Sequence, residues 1–219
     1  KSKYHVVNPD HIIDEHGADA LRLFEMFLGP IQQSKPWDTK GLSGVTSFLR
    51  KVMRLMDRVE DIEGSKDEQR VLHVLMDKVE RDIESLSLNT SVSAMMIAVN
   101  QWSEMPKLSK ASMKDFAIIL SPFAPHVAEE IWQLLDGSES ITLVPYPKLN
   151  KAMLVNDEIT SPVQFNGKTR FMLTVAASAD KAAIEAMVMG DERSVKYVAD
   201  KTVRKVIVVS QRIVNVVLS

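Results

Sequence analysis

The apolar residues of this chain change period once, from steps of three and four to steps of two. That change restricts the fold to a helical part followed by a part containing strands. In the first part, Ile12, Ile13, His16, Ala20, Leu23, Phe24 and Phe27 fall on one stripe, which predicts a helix ended by Gly29-Pro30. Val45, Phe48, Leu49, Val52, Leu55, Met56 and Val59 form a second stripe, stopped at Gly64-Ser65. A third runs through Leu72, Leu75, Met76, Val79, Ile83 and Leu86, and a fourth through Val92, Met95, Met96, Val99 and Trp102, with Asn89-Thr90-Ser91 as candidate N-caps between them. The fifth begins near Lys110 with Met113, Phe116, Ala117 and Leu120. Pro122 and Pro125 break it, because their rings remove backbone donors, and it resumes from 126 to 135. Short links imply antiparallel neighbours, so these elements predict a bundle of about five helices.

The rhythm changes after Gly137. Pro145 and Pro147 mark a connection, and Val163 and Phe165 then alternate up to Asn166-Gly167, followed by Thr169, Phe171, Leu173 and Val175. Asn-Gly between two alternating runs predicts a hairpin with a type I′ turn, which needs positive φ at both central residues. Residues 182 to 189 and 195 to 198 read as short helices, and 203 to 209 and 213 to 218 as two further strands. The expected class is mainly α: a helical bundle over 9–144, a linker over 145–161, and a small α+β domain with hairpins over 162–219. Residues 1–8 precede the bundle.

Composition narrows the function classes. Hydrophobic residues make up 45% and charged residues 26%, the usage of an ordinary globular protein. Cysteine is absent, which removes disulfides and thiolate zinc sites and fits a reducing cytoplasm. No apolar run reaches the roughly 18 to 20 residues that span a bilayer, and Lys1-Ser2-Lys3-Tyr4-His5 lacks the apolar core of a signal peptide, so no membrane partner is expected. The opening Lys-Ser-Lys, without Met, predicts further sequence upstream. Net charge is -2, but it is uneven: residues 1–150 hold 17 Lys+Arg against 22 Asp+Glu, and residues 151–219 hold 10 against 7. The tail is the basic part.

No self-contained active site is legible. His126 shares a helical face with Glu129 and Glu130, but the second His that a helical zinc hydrolase needs four residues away is missing, so a surface or cap histidine is the plainer reading. His5, His11, His16 and His73 are scattered, and no glycine-rich loop matches a nucleotide-binding fingerprint. No metal site is expected. Met53, Met56, Met76, Met95 and Met96 occupy apolar stripes, where Met fills gaps in a core. Two basic groups suggest a phosphate-contacting surface. In the tail, Lys168 and Arg170 follow the hairpin turn while Lys201, Arg204 and Lys205 flank a strand, and pairing of those strands would bring both sets together. In the bundle, Arg50, Lys51, Arg54 and Arg58 repeat at helical spacing. On residue types alone, ordinary solvated charge is the plainer reading of both groups.

Longer segments carry a resemblance. Lys1-Ser2-Lys3 resembles the end of the Lys-Met-Ser-Lys-Ser loop of class I aminoacyl-tRNA synthetases. Asn8-Pro9-Asp10 with His16-Gly17-Ala18-Asp19-Ala20-Leu21-Arg22-Leu23 is similar to the segment after that loop in the leucyl, isoleucyl and valyl enzymes. The segment from Leu120-Ser121-Pro122-Phe123-Ala124-Pro125-His126 to Trp132 resembles a signature of their helical anticodon-binding domain. Residues 163–170, 202–209 and 213–217 look like the C-terminal domain of bacterial leucyl-tRNA synthetases, with Phe165 and Thr169 replacing a more usual Val. The valyl coiled coil and the Cys-bound zinc module of many isoleucyl enzymes cannot be built from this sequence.

The resemblance implies that the intact protein, a cytoplasmic monomer, attaches leucine to its tRNA, converting ATP to AMP and pyrophosphate, and that ATP and Mg are bound mainly by a catalytic domain outside this chain. Within the chain it implies ATP contacts from Lys1 and Ser2, and tRNA contacts from Lys168, Arg170, Lys201, Arg204 and Lys205 near the outer corner where the D and T loops meet, with Arg50 and Arg54 along the tRNA backbone. The chain alone is then catalytically incomplete. The alternatives are a valyl or isoleucyl relative, against which the tail sequence argues, and a free-standing RNA-binding or interaction module, against which the partial loop argues.

Overall fold

The structure is a computed structural model that describes residues 7–155, 158–199, 201–209 and 213–219. The chain divides into two compact units, Lys1–Leu154 and Val155–Ser219.

The first unit opens with α1 (Pro9–His16) and α2 (Ala18–Phe27). The sequence predicts one helix here, and Gly17 makes it two. Its φ of 87° and ψ of 154° form a conformation that only glycine adopts without strain, so the chain turns while the Gly17 N–H still donates to the Ile13 carbonyl at 2.8 Å. Asn8 caps α1 by accepting from the Asp10 N–H, with Pro9 at the first helical position. Next comes α3 (Leu42–Leu55), prolonged by a 3-10 turn over Met56–Arg58. A two-residue strand β1 (Val59–Glu60) comes after it, pairing in parallel with β2 (Leu108–Ser109). This bridge replaces the helical tail expected up to Val59. Its partner is anchored by Glu68, 1% exposed, whose carboxylate accepts from the Ser109 N–H at 2.9 Å and the Ser109 hydroxyl at 2.7 Å.

Helices α4 (Lys66–Glu84) and α5 (Leu88–Ser103) form a hairpin. Asn89-Thr90-Ser91 do not cap α5. Ser87 holds the N-cap position, and the Thr90 and Ser91 hydroxyls donate back to the Asp82 carboxylate of α4. The last pair, α6 (Lys110–Leu120) and α7 (Pro125–Leu134), is split by the two prolines as predicted. Together the core comprises fully buried Leu23, Leu42, Leu72, Met76, Met95, Trp102, Met113, Phe116 and Ile119. Trp102 meets Phe116 edge to face at 5.0 Å. Met53, Met56 and Met96 pack against it while half-buried.

The second unit holds β3 (Glu158–Phe165), β4 (Lys168–Ala176), α8 (Lys181–Gly190), α9 (Glu192–Val198), β5 (Val203–Val209) and β6 (Ile213–Leu218). The sheet order is β4-β3-β6-β5, with the central β3–β6 pair parallel and both outer pairs antiparallel. Asn166 and Gly167 turn between β3 and β4 with φ of 48° and 79°, the two positive values a type I′ turn requires. One sheet face is apolar: Val163, Phe165, Leu173, Val175, Val214 and Val216 pack with Ile184 and Val188 of α8 into a separate core.

Candidate nucleic-acid interface

Two β-bulges decide which way the basic side chains of the second unit face. Between β3 and β4 the register runs from Val163↔Phe171 to Gln164↔Thr169, leaving Arg170 as the extra residue. Strict alternation from Phe171 would put Lys168 on the open face of the sheet. The bulge reverses this: Lys168 pairs with the buried Phe165 and shares its helix-covered face. Arg170 is re-aimed over the Tyr197 ring of α9, 5.2 Å from its centroid. Lys196 approaches the same ring at 5.0 Å, and Phe165 lies against it at 4.8 Å.

These side chains line a cleft of about 290 Å³, completed by Lys201 just beyond α9 and by Asn166 of the turn. Four cations border it, and no carboxylate of the described residues forms an ion pair with any of them. The floor is fixed. The Asn166 side chain accepts from the Leu218 N–H at 2.8 Å and donates to the Leu218 carbonyl at 3.3 Å, which ties the turn to the end of β6. Arg193 of α9 is not part of the free charge. Its guanidinium forks onto Asp191 at 2.7 and 2.9 Å, lies over Phe171 at 4.3 Å, and holds the Asp191 carboxyl down at about 2 through those hydrogen bonds.

The expected merging of Lys168 and Arg170 with Arg204 and Lys205 does not occur. β4 and β5 are the opposite edges of the sheet, separated by β3 and β6, about 14 Å at the usual strand spacing. A second bulge, between Val203 and Lys205, leaves Arg204 as the extra residue and pairs Lys205 with Val217, a position that alternates with the core-facing Val216 and Leu218 and so lies on the open sheet face. Thus Lys168, Arg170 and Lys201 come together, while Arg204 and Lys205 form a separate exposed site. Lys196 and Tyr197 escaped the sequence reading. The available signal was a Lys-Tyr pair in a short helix between basic strands.

In the first unit, the basic stripe divides by task. Arg58 donates to the Ser103 and Met105 carbonyls at the end of α5, and the Lys51 ammonium donates to Asn100 at 2.6 Å. Arg50 and Arg54 stay exposed and border a groove between α3 and α7. His126 is largely exposed, with Nδ1 at 2.8 Å from the buried Asp19 carboxylate. Among the described residues no group of three His, Cys, Asp or Glu could hold a metal ion, and no helix is long and apolar enough to cross a membrane. Lys1 and Ser2 lie outside the described residues.

Known proteins resemble the chain over its whole length. It is 45% identical over 224 residues to the leucine-tRNA ligase of Phocaeicola vulgatus and 47% identical over 224 residues to that of Bacteroides thetaiotaomicron, in each case covering 100% of this chain and 24% of the relative. The chain therefore spans about a quarter of the length of these curated relatives. A solved ternary complex of Agrobacterium radiobacter K84 agnB2 LeuRS with tRNA and LeuAMS superposes on all of this chain and 31% of its own, with a TM-score of 0.76 and 27% identity. The sequence pattern of the anticodon-binding domain of tRNA ligase matches residues 69–186, more than half of the 219. The chain belongs to that family, the anticodon-binding domains of tRNA ligases.

Proposed function

We propose that this chain is the tRNA-docking part of a leucine-tRNA ligase, a protein that attaches leucine to its tRNA and converts ATP to AMP and pyrophosphate. The observation that carries the reading is the second unit's cleft, where Lys168, Arg170, Lys196 and Lys201 surround Tyr197 with no described carboxylate paired to them. Folded RNA is recognised largely through phosphate, sugar and shape, which calls for positioned cations and does not require a strongly basic protein. An aromatic ring flanked by guanidinium and ammonium groups adds a stacking surface for a base at the outer corner of the tRNA. Arg204 and Lys205 make a second contact from the open sheet face, and Arg50 and Arg54 a third from the bundle.

Catalysis belongs to the parent protein. Lys1 and Ser2, which resemble the end of the signature loop, would contact ATP there, with Mg bound outside this chain. The chain alone activates no leucine. A salt titration of the full chain with a leucine tRNA and a non-cognate tRNA tests the reading. Replacing Lys168, Arg170, Lys196 and Lys201 together by Ala should weaken binding and reduce the slope of log affinity against log salt by about 3. A quadruple variant that binds as the parent chain does would remove the cleft from the interface.

A further inference from the structure

The Asn166-Gly167 turn brings together two groups that can react with each other. Asn166 alone among the asparagines of the chain precedes glycine. A side-chain amide is open to attack by the backbone nitrogen of the next residue, and glycine leaves that nitrogen unshielded. Apart from its chain neighbours, nothing lies within 4 Å of where a Cβ at Gly167 would stand, and both turn residues are exposed. In the folded chain, however, β6 holds both reacting groups. The Gly167 N–H donates to Oδ1 of Asn215 at 3.1 Å. The Asn166 side chain donates to the Leu218 carbonyl at 3.3 Å and accepts from the Leu218 N–H at 2.8 Å, and its backbone N–H donates to the Val216 carbonyl at 2.9 Å. Four hydrogen bonds thus tie two residues to one strand.

We propose that Asn166 is a site of spontaneous deamidation guarded by β6, converting only when the end of that strand opens. In the open state the Gly167 nitrogen gives up its proton to hydroxide and bonds to Cγ of Asn166. The Cγ–Nδ2 bond breaks, ammonia leaves with a proton taken from water, and a five-membered succinimide remains. Water then opens the ring at either carbonyl, so that the amide and water become a carboxylate and ammonium with no change of oxidation state. One opening gives aspartate, whose second oxygen faces the Leu218 carbonyl where a donor stood. The other gives isoaspartate, which adds a carbon to the backbone of a turn built on two residues. Either product sets a carboxylate among Lys168, Arg170, Lys196 and Lys201, because Asn166 lines their cleft, and so weakens its positive field. The site stands whatever anion the cleft receives.

The experiment incubates the full chain at neutral and mildly alkaline pH and follows Asn166 by mass spectrometry of its fragments. A synthetic peptide of residues 160–175 serves as the unguarded reference, and Asn166→Asp as the product standard. The peptide should convert, and faster as pH rises. The folded chain should convert about a hundredfold more slowly, at the peptide rate multiplied by the open fraction that hydrogen exchange of the Gly167 amide reports. Asn215→Ala removes one of the four bonds from a half-buried position and should speed conversion about fivefold without a matching fall in the urea midpoint. An unreactive peptide would remove the site. A folded chain that converts as fast as the peptide would remove the guard. No acceleration by Asn215→Ala, or acceleration only in step with lost global stability, would show that β6 does not control the reaction and would overturn the proposal. A deamidation rate in the unsubstituted chain that departs from the product of peptide rate and open fraction would do the same without any variant.

Discussion

The carboxylate of Asp19 accepts the backbone N–H of Val127 at 2.7 Å and that of His126 at 3.3 Å, so helix α7 is capped by a residue 108 positions earlier in the chain. The local N-cap residue is Ala124, which has no side chain able to do this. Arg22, one turn along α2 from Asp19, donates to the Pro122 carbonyl at 2.8 Å and grips the other side of the same junction. Asp19→Ala leaves two helix-terminal donors without their acceptor and should cost about 2 kcal/mol. Asp19→Asn, whose amide oxygen still accepts, should cost less. Thermal unfolding followed by circular dichroism checks the order. Equal melting of the alanine variant and the parent would show that water satisfies these groups as well as Asp19 does.

Leu86 sits in the left-handed region, φ 55°, at the end of α4. The Ser87 N–H donates to the Asp82 carbonyl at 2.7 Å and the Leu86 N–H to the Ile83 carbonyl at 3.1 Å, the paired bonds of a Schellman motif in which glycine is the usual occupant. The leucine side chain is 53% exposed, so little burial offsets the backbone strain. Leu86→Gly should therefore stabilise the first unit by about 1 kcal/mol, despite the larger chain entropy of glycine in the unfolded state. A lower midpoint in urea for the glycine variant would contradict this account.

The range of each interaction decides whether the sequence makes it legible. The Asn166-Gly167 hairpin was readable because the turn is specified by its own two residues, and the split between α6 and α7 because proline acts locally. Gly17 was the comparable local signal within the first stripe, but an unbroken apolar stripe on both sides masked it. The β1–β2 bridge depends on Glu68 reaching Ser109 across 41 residues, which periodicity cannot express. The basic surface failed at the same level. Residue types at 168, 170, 201, 204 and 205 were visible, but a bulge inverts facing by one residue, and the order β4-β3-β6-β5 sets the two pairs on opposite edges. Tyr197 and Lys196 enter the cleft only because α9 lies over the bulge.

Asp82 provides a pH-dependent contribution whose sign is fixed by its surroundings. Burial pushes its carboxyl upward, but hydrogen bonds from Lys78 and Thr90, the Lys78 charge and a bond from Ser91 outweigh this and hold it below the ordinary aspartate value. The folded form then binds its proton less readily than the unfolded chain. The contribution is complete above the unfolded value of about 4 and is lost as pH falls through the lower, folded one. Asp82→Asn should lower stability at neutral pH and flatten the acid limb of the melting profile below about pH 4. Parallel profiles for the variant and the parent would show that other carboxylates govern acid unfolding.

Two glycines three residues apart test how closely α2 packs on α3. A methyl group added at Gly41 would lie 2.4 Å from Cε2 of Phe24, a ring only 3% exposed and held edge-on by Trp37 at 5.1 Å. The ring has no free direction to move, so the start of α3 must shift away from α2. At Gly44, inside the first turns of α3, the same methyl group would meet nothing within 4 Å. Both residues have ordinary negative φ, so backbone strain does not separate them. Gly41→Ala should destabilise by about 2 kcal/mol through overpacking, and Gly44→Ala should stabilise by about 0.7 kcal/mol through helix propensity and a less disordered unfolded chain. Midpoints shifting in opposite directions in a denaturant titration would support tight α2–α3 packing. Stabilisation by both substitutions would mean that Phe24 yields and that the contact between these helices is looser than the ring geometry indicates.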